Sequence, residues 1–255
     1  MKIKTTLKLG LLALLVLNFG CISYTKVPLT DCDHPSGWCL EIRNIAVKSW
    51  KYGQLSKNVY NKPYQFDMKH HFEKIKDYEK NQIDFFATLY RDISNDELVL
   101  VYRGTDSFKD FKTGNNPFKQ SQNNYGVEIF DLITKEYGQI SVVSGHSLGG
   151  GIAIHLSLNR ENIVAFSFNG SPVFKNIKNI TNDRYSIVEN GEVLKAVRLI
   201  GREANQLYTS IGCADGNAIT QHDMQSLATC LTQIAAIEDK EARKSLALNN
   251  IEFEY

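Results

Sequence analysis

The stretch Gly145-His146-Ser147-Leu148-Gly149-Gly150 constrains this chain more than any other. It follows a short apolar run, Ile140 to Val143, and leads into Gly151-Ile152-Ala153-Ile154, which reads as the start of a helix. Strand, sharp turn and helix form the setting of a G-x-S-x-G nucleophile elbow. Such a turn strains the backbone of its serine, so the neighbouring side chains must be very small. Gly145 and Gly149 meet that need, and Gly150 and Gly151 let the helix pack close to a sheet. The competing reading is a glycine-rich structural turn. The strand and helix flanks, with His146 before the serine and Leu148 after it, favour a reactive serine.

A serine hydroxyl is a poor nucleophile unless a base takes its proton. The chain has six histidines. His146 belongs to the elbow itself, and His155 lies on the helix leaving it. His34, His70 and His71 precede the serine, whereas α/β-hydrolases run serine, acid, histidine along the chain. His222 is left as the candidate base, against the alternative of an ordinary surface histidine at a helix start. A carboxylate must then fix the tautomer of that imidazole and stabilise its charged form. Glu161, Asp183, Glu189, Glu192, Glu203 and Asp215 lie between Ser147 and His222. Glu203 stands just past an expected strand, Val193 to Ile200, and is the first choice. Asp215, close to His222 in sequence, and Asp183 are the rivals. The oxyanion of an acyl-transfer intermediate needs hydrogen-bond donors. The N–H of Leu148 is one. Thr105, in Arg103-Gly104-Thr105-Asp106-Ser107 after an apolar run, supplies the other unless that stretch is a plain turn.

The first residues form a separate segment. Lys2, Lys4 and Lys8 precede the apolar run Leu9 to Leu17, which is too short for a comfortable membrane span and reads as an export signal over residues 1–21. Cys21, after Gly20, stands where a bacterial lipoprotein carries its lipidated cysteine, although Asn18 replaces the usual leucine. The alternative is cleavage nearby and release into the periplasm or medium. Residues 22–39 then read as a tether and 40–255 as one domain. Of five cysteines, removing Cys21 leaves Cys32, Cys39, Cys213 and Cys230, an even number for an oxidising compartment. A local Cys32–Cys39 bridge would leave Cys213–Cys230 to close a loop around His222, but three pairings are open to four cysteines. No pair has zinc-site spacing. A net charge of +1 with no basic block argues against a nucleic-acid surface.

Apolar spacing predicts one long or broken helix over Leu40 to Tyr60, with Gly53 as the break, then irregular surface structure with a short helix over Asn61 to Lys80. Ile83 to Tyr90 and Glu97 to Tyr102 read as a β-hairpin, and Ser107 to Asn124 as a long polar loop. Helices are expected over Tyr125 to Tyr137, Gly151 to Leu158 and Asp223 to Ile237, with strands at Ile140 to Val143, Asn162 to Phe168 and Val193 to Ile200. The alternation predicts an α/β fold, a mixed and mostly parallel sheet between helices on both faces.

Tyr102-Arg103-Gly104-Thr105-Asp106-Ser107, Asp110-Phe111, the elbow, and Phe168-Asn169-Gly170-Ser171-Pro172 occur in the order seen in class 3 lipases. The chain resembles that family, and more narrowly its bacterial Mbeg1-like branch, over about Leu40 to Ile237. The resemblance implies an α/β-hydrolase-like three-layer sandwich and hydrolysis of carboxylic esters of acyl lipids, as in a lipase or phospholipase. It implies Ser147 as nucleophile, His222 as base, and Thr105 with Leu148 as oxyanion donors. The family's acid is usually Asp, and Glu203 takes the matching place. A mobile lid is implied beyond the oxyanion loop, at Ser107 to Asn124. No cofactor or metal is implied. The expected partners are an acyl-ester lipid and, through Cys21, a membrane surface. Two other readings remain: a hydrolase-fold lipoprotein that only binds, and acyl transfer to an acceptor other than water.

Overall fold

Short runs of β-branched and aromatic residues, separated by turns, make the sheet at the centre of the molecule. The computed structural model describes residues 38–60, 62–105, 121–173, 181–189, 191–194, 207–213 and 216–253. Seven strands lie side by side in chain order: β1 (Phe72–Lys80), β2 (Phe85–Asp92), β3 (Leu98–Tyr102), β4 (Ile140–His146), β5 (Val164–Phe168), β6 (Arg184–Val188) and β7 (Leu207–Ser210). β1, β2 and β3 pair antiparallel. From β3 to β7 every pairing is parallel. β3 is buried at all of its positions, Leu98-Val99-Leu100-Val101-Tyr102, as befits a strand covered on both faces.

Among the described residues, five α-helices flank the sheet: α1 (Leu40–Asn58), α2 (Ser121–Tyr137), α3 (Leu148–Asn159), α4 (Met224–Ala235) and α5 (Lys240–Leu248), the last packed on α4. Right-handed crossovers between sequential parallel strands put their helices on one face. There Ile129 and Ile133 of α2 and Ile152 and Leu156 of α3 join Leu89, Leu100 and Val143 in one apolar cluster. The other face is closed by helices from the two ends of the described chain. Ile42 and Trp50 of α1 and Leu227 and Leu231 of α4 join Val101, Phe166 and Phe168 in a second cluster. This is the expected three-layer arrangement, an α/β-hydrolase-like fold. α3 is buried from Leu148 to Leu158, so a helix apolar on every side lies inside the molecule.

Three elements differ from the sequence expectation. Gly53 does not break α1, which runs unbroken from Leu40 to Asn58. Gly53 instead faces Leu231 and Phe168, each 3.6 Å from where a Cβ would stand, at the place where α1 meets α4 and the sheet. The charged stretch before Lys80 contains strand β1, not a short helix; its Lys and Glu side chains form the solvent side of an edge strand, which keeps such an edge from pairing with other chains. The predicted strand over Val193 to Ile200 is not seen where it is described: Val193 and Leu194 form a turn, and 195–200 lie outside the described residues. The strand after β5 is β6. Its polar residues hid it from a hydrophobicity reading. Arg184 is buried, and its guanidinium donates to Ser157 Oγ at 2.8 Å and to Asn182 O at 3.0 Å.

Polar side chains stitch the second face. Gln54 donates to Thr232 Oγ1 at 2.9 Å and to Ser245 Oγ at 3.0 Å, linking α1, α4 and α5. Trp50 is fully buried, and its Nε1–H reaches Asp239 Oδ2 at 3.0 Å. Buried polar groups need such partners, because leaving one unmet costs about 1–3 kcal/mol.

Cys213 and Cys230 form a disulfide across 17 residues of chain. Cys39 is also disulfide-bonded. Constraining a loop of that length in the unfolded chain stabilises a protein by about 3 kcal/mol in the chain-entropy model. The Cys213→Ser/Cys230→Ser double variant is therefore expected to lose stability of that order. The urea midpoint, compared with wild type at equal slope, measures the loss; an unchanged midpoint would contradict it.

Candidate active site

The site sits at the C-terminal ends of the parallel strands, where open α/β sheets present their ligands. β4 ends at His146 and α3 begins at Leu148, so the whole reversal falls on Ser147. Its backbone takes φ 55°, ψ −122°, a region that side-chain-bearing residues seldom enter. The turn is held on both sides. Ser147 N–H donates to Phe168 O at 3.0 Å, and Ser147 O accepts from Ser171 N–H at 2.8 Å. The flanking glycines answer a packing need: a Cβ on Gly145 would stand 2.7 Å from Tyr102 O. A Cβ on Gly149, in the first turn of α3, would stand 2.7 Å from the Tyr102 carbonyl carbon, so the helix leaving the elbow lies against the end of β3.

His222 ends a single 3-10 turn, Thr220–His222. The local sequence builds that turn. Asn217 Oδ1 accepts from Ile219 N–H at 2.9 Å and from Thr220 N–H at 3.1 Å, a side-chain cap of the kind asparagine favours. Asp223 then caps α4, accepting from Ser226 N–H at 2.8 Å, so chain direction is fixed on both sides of the histidine. His222 Nε2 lies 3.1 Å from Ser147 Oγ, and its Nδ1 lies 2.7 Å from Glu192 Oε2. A carboxylate accepts, so Nδ1 carries the proton and Nε2 is left to accept from the serine hydroxyl. Glu192 is 1% exposed, and its Oε2 also accepts from Leu194 N–H at 2.9 Å. The acid-bearing turn is tied to the histidine's loop through Val193 N–H donating to Ala218 O at 3.0 Å.

Leu148 opens α3, so its N–H is among the donors at a helix start that have no partner within the helix. Gly104, one residue before Thr105, passes directly beside the serine. A Cβ at Gly104 would come within 2.9 Å of Ser147 Cβ and 2.5 Å of His146 O. Only a residue without a side chain brings the loop after β3 this close, and Thr105 follows it, half-buried.

The structure therefore brings together Ser147, His222, Leu148 and the Gly104–Thr105 loop. It puts Glu192, not one of the three preferred carboxylates, on the histidine. Glu203 and Asp215 lie outside the described residues. Asp183 precedes β6 at the end of the sheet far from Ser147, and its carbonyl pairs with Ala165 N–H at 2.9 Å. In α/β-hydrolases the acid is expected just past the second strand after the elbow; β6 is that strand, Glu189 and Glu192 follow it, and of the two Glu192 contacts His222. The implied lid over Ser107 to Asn124 falls mostly outside the described residues, and Ser121 to Asn124 already belong to α2. Among the described residues, no group of His, Cys, Asp and Glu is arranged to hold a metal, and no helix is long and apolar enough to cross a membrane.

A family model, the Tle-like phospholipase domain, matches residues 52–246, which span the sheet, the elbow, Glu192 and His222. The chain belongs to the Tle-like phospholipase domain family. Nothing in that match separates out the Mbeg1-like branch. No curated protein matches the chain closely enough to count as a relative. Solved structures with a similar fold include a lipase from Rhizopus microsporus var. chinensis, at 17% identity and TM-score 0.53, covering 68% of this chain and 77% of that one. The Lip2 lipase from Yarrowia lipolytica is similar at 17% identity and TM-score 0.49, over 67% of this chain and 79% of that one. At such identities the likeness to the Rhizopus structure is one of fold. Within the Tle-like phospholipase domain of this chain, Ser147 and His222 lie on described elements, whereas 106–120 lie outside the described residues.

Proposed function

We propose that this Tle-like phospholipase domain is a serine carboxylic-ester hydrolase of acyl lipids, with phospholipids as the first substrate class to try. The observation that carries the reading is the continuous contact from Ser147 Oγ to His222 Nε2 at 3.1 Å and from His222 Nδ1 to Glu192 Oε2 at 2.7 Å. In this reading His222 takes the proton of Ser147 as Oγ attacks the ester carbonyl carbon. Glu192 stabilises the imidazolium so formed. Negative charge on the carbonyl oxygen is met by Leu148 N–H and by Thr105. His222 then returns the proton to the departing alcohol, leaving an acyl-serine. Water, activated by the same imidazole, attacks that acyl group and releases the fatty acid. The family name supports the lipid substrate, and the export-type segment with Cys21 supports action at a membrane surface through an attached lipid. Incorporation of labelled fatty acid that is lost in Cys21→Ser checks the anchor.

The test of function is a panel of phospholipids, lysophospholipids and acylglycerols, with products identified by mass spectrometry. Release of free fatty acid from at least one class, together with fluorophosphonate labelling at Ser147, is the expected result. A purified protein that takes no probe and releases no acid from any ester would instead favour a binding role for the fold.

A further inference from the structure

His146 and Tyr60 have no part in the proton transfers above, yet both are joined to residues that do. His146 ends β4 immediately before Ser147 and is 6% exposed. Its Nε2 lies 2.9 Å from the backbone oxygen of His222. Its Nδ1 lies 2.7 Å from the Tyr60 hydroxyl. A carbonyl oxygen only accepts, so Nε2 carries the proton. In the neutral ring Nδ1 is then the acceptor, and Tyr60 O–H donates to it. The Tyr60 oxygen in turn accepts from Gly104 N–H at 3.2 Å. Each bond sets the direction of the next. The sequence runs from Gly104 N–H to Tyr60, from Tyr60 O–H to His146, and from His146 Nε2–H to His222 C=O. It starts in the loop that carries Thr105 and ends on the backbone of the base.

A second pin acts on the preceding carbonyl. Asn169, fully buried just past β5, donates from Nδ2 to Gln221 O at 3.2 Å, while its Oδ1 accepts from Glu189 N–H at 2.8 Å. Two successive carbonyls of the base-bearing turn are thus docked on the ends of the adjacent strands β4 and β5. The rings of His146 and His222 also pack on one another, with centroids 4.7 Å apart.

From this geometry we infer that Tyr60 and His146 are positioning residues for ester hydrolysis, fixing where the His222 imidazole and the Thr105 loop stand relative to Ser147. The inference rests on the serine-hydrolase reading above. Misplacing reacting groups by about 1 Å costs on the order of 100-fold in rate. Tyr60→Phe keeps the ring but leaves Gly104 N–H and His146 Nδ1 without the hydroxyl between them. It is expected to lower kcat on a soluble p-nitrophenyl ester by about 10- to 100-fold, with KM within about threefold, the split that marks lost transition-state alignment. His146→Gln retains one donor and one acceptor, whereas His146→Leu retains neither, so the glutamine variant is expected to be at least about tenfold the faster of the two.

Rates are taken per active site, titrated with a fluorophosphonate, so that a loss of folded protein does not count as a loss of rate. Wild-type kcat per titrated site in Tyr60→Phe overturns the inference, as do equal rates in the two His146 variants. The His146 pair decides the matter if Tyr60→Phe does not fold. A wild-type protein with no turnover and no label at Ser147 would sink the serine-hydrolase reading itself, an outcome distinct from either.

Discussion

Ser147→Ala is expected to lower kcat on a p-nitrophenyl ester by about 10⁶-fold and to abolish fluorophosphonate labelling, with lipid binding retained. The size follows from the proposed mechanism, in which the Ser147 hydroxyl forms the bond to the substrate and His222 would have nothing to deprotonate without it. For the same reason His222→Ala is expected to cost about as much, and the double variant no more than either single one, because groups acting as a unit do not contribute additively. Stability is expected to stay near wild type, since the strain at φ 55° belongs to the backbone turn and not to the hydroxyl. Steady-state turnover with the single and double variants measures all of this. Retained turnover in Ser147→Ala, or multiplied losses in the double variant, would show that the two side chains do not act together.

The second large effect discriminates between carboxylates. Glu192→Gln keeps the shape of the side chain but removes the charge, and lets the imidazole adopt the tautomer in which Nε2, facing Ser147, carries the proton. That change is expected to lower kcat by about 10⁴-fold. Glu203→Gln and Asp215→Asn are each expected to stay within about threefold of wild type, because Glu192 already holds the His222 Nδ1 proton in the proposed site. The same ester assay on the three variants ranks them. A large loss in Glu203→Gln with little in Glu192→Gln would move the acid's role to the residue that the motif order first suggests.

The elbow was legible because its chemistry and its backbone make the same demand: small residues on both sides of one serine, between a strand and a helix. His222 followed from chain order alone. Glu192 was harder for a reason that lies in β6. A strand recognised by hydrophobic alternation must be apolar, and Arg184-Tyr185-Ser186 is not. Its buried arginine is satisfied by Ser157 and Asn182, partners that only the folded chain brings near. A search for apolar strands passes over β6 and expects the acid one strand later, at Glu203, whereas the carboxylate that lies 2.7 Å from His222 is Glu192. The same limit hid β1, whose charges are those of an edge strand, and the Gln54–Thr232 contact, which joins residues 178 apart. Tyr60 carries no signal in the sequence, because its contacts with Gly104 and His146, 44 and 86 residues away, exist only in the folded chain.

The division of the helices between the two faces bears on the order in which this molecule is made. α2 and α3 lie next in the chain to the strands they cover, so that layer can close as synthesis proceeds. α1 is different. Its buried Gln54 and Trp50 find their partners 178 and 189 residues further on. A ribosome therefore delivers α1, which packs on β3, β4 and β5, long before α4 and α5 arrive to cover its other side, and that late segment follows directly on His222. Pairings so distant in the chain are slow to form and leave apolar surface exposed to aggregation in the meantime. The growing polypeptide thus carries Ser147 well before His222, so under the proposed mechanism a product truncated before His222 lacks both the base and the helices that complete the second apolar cluster.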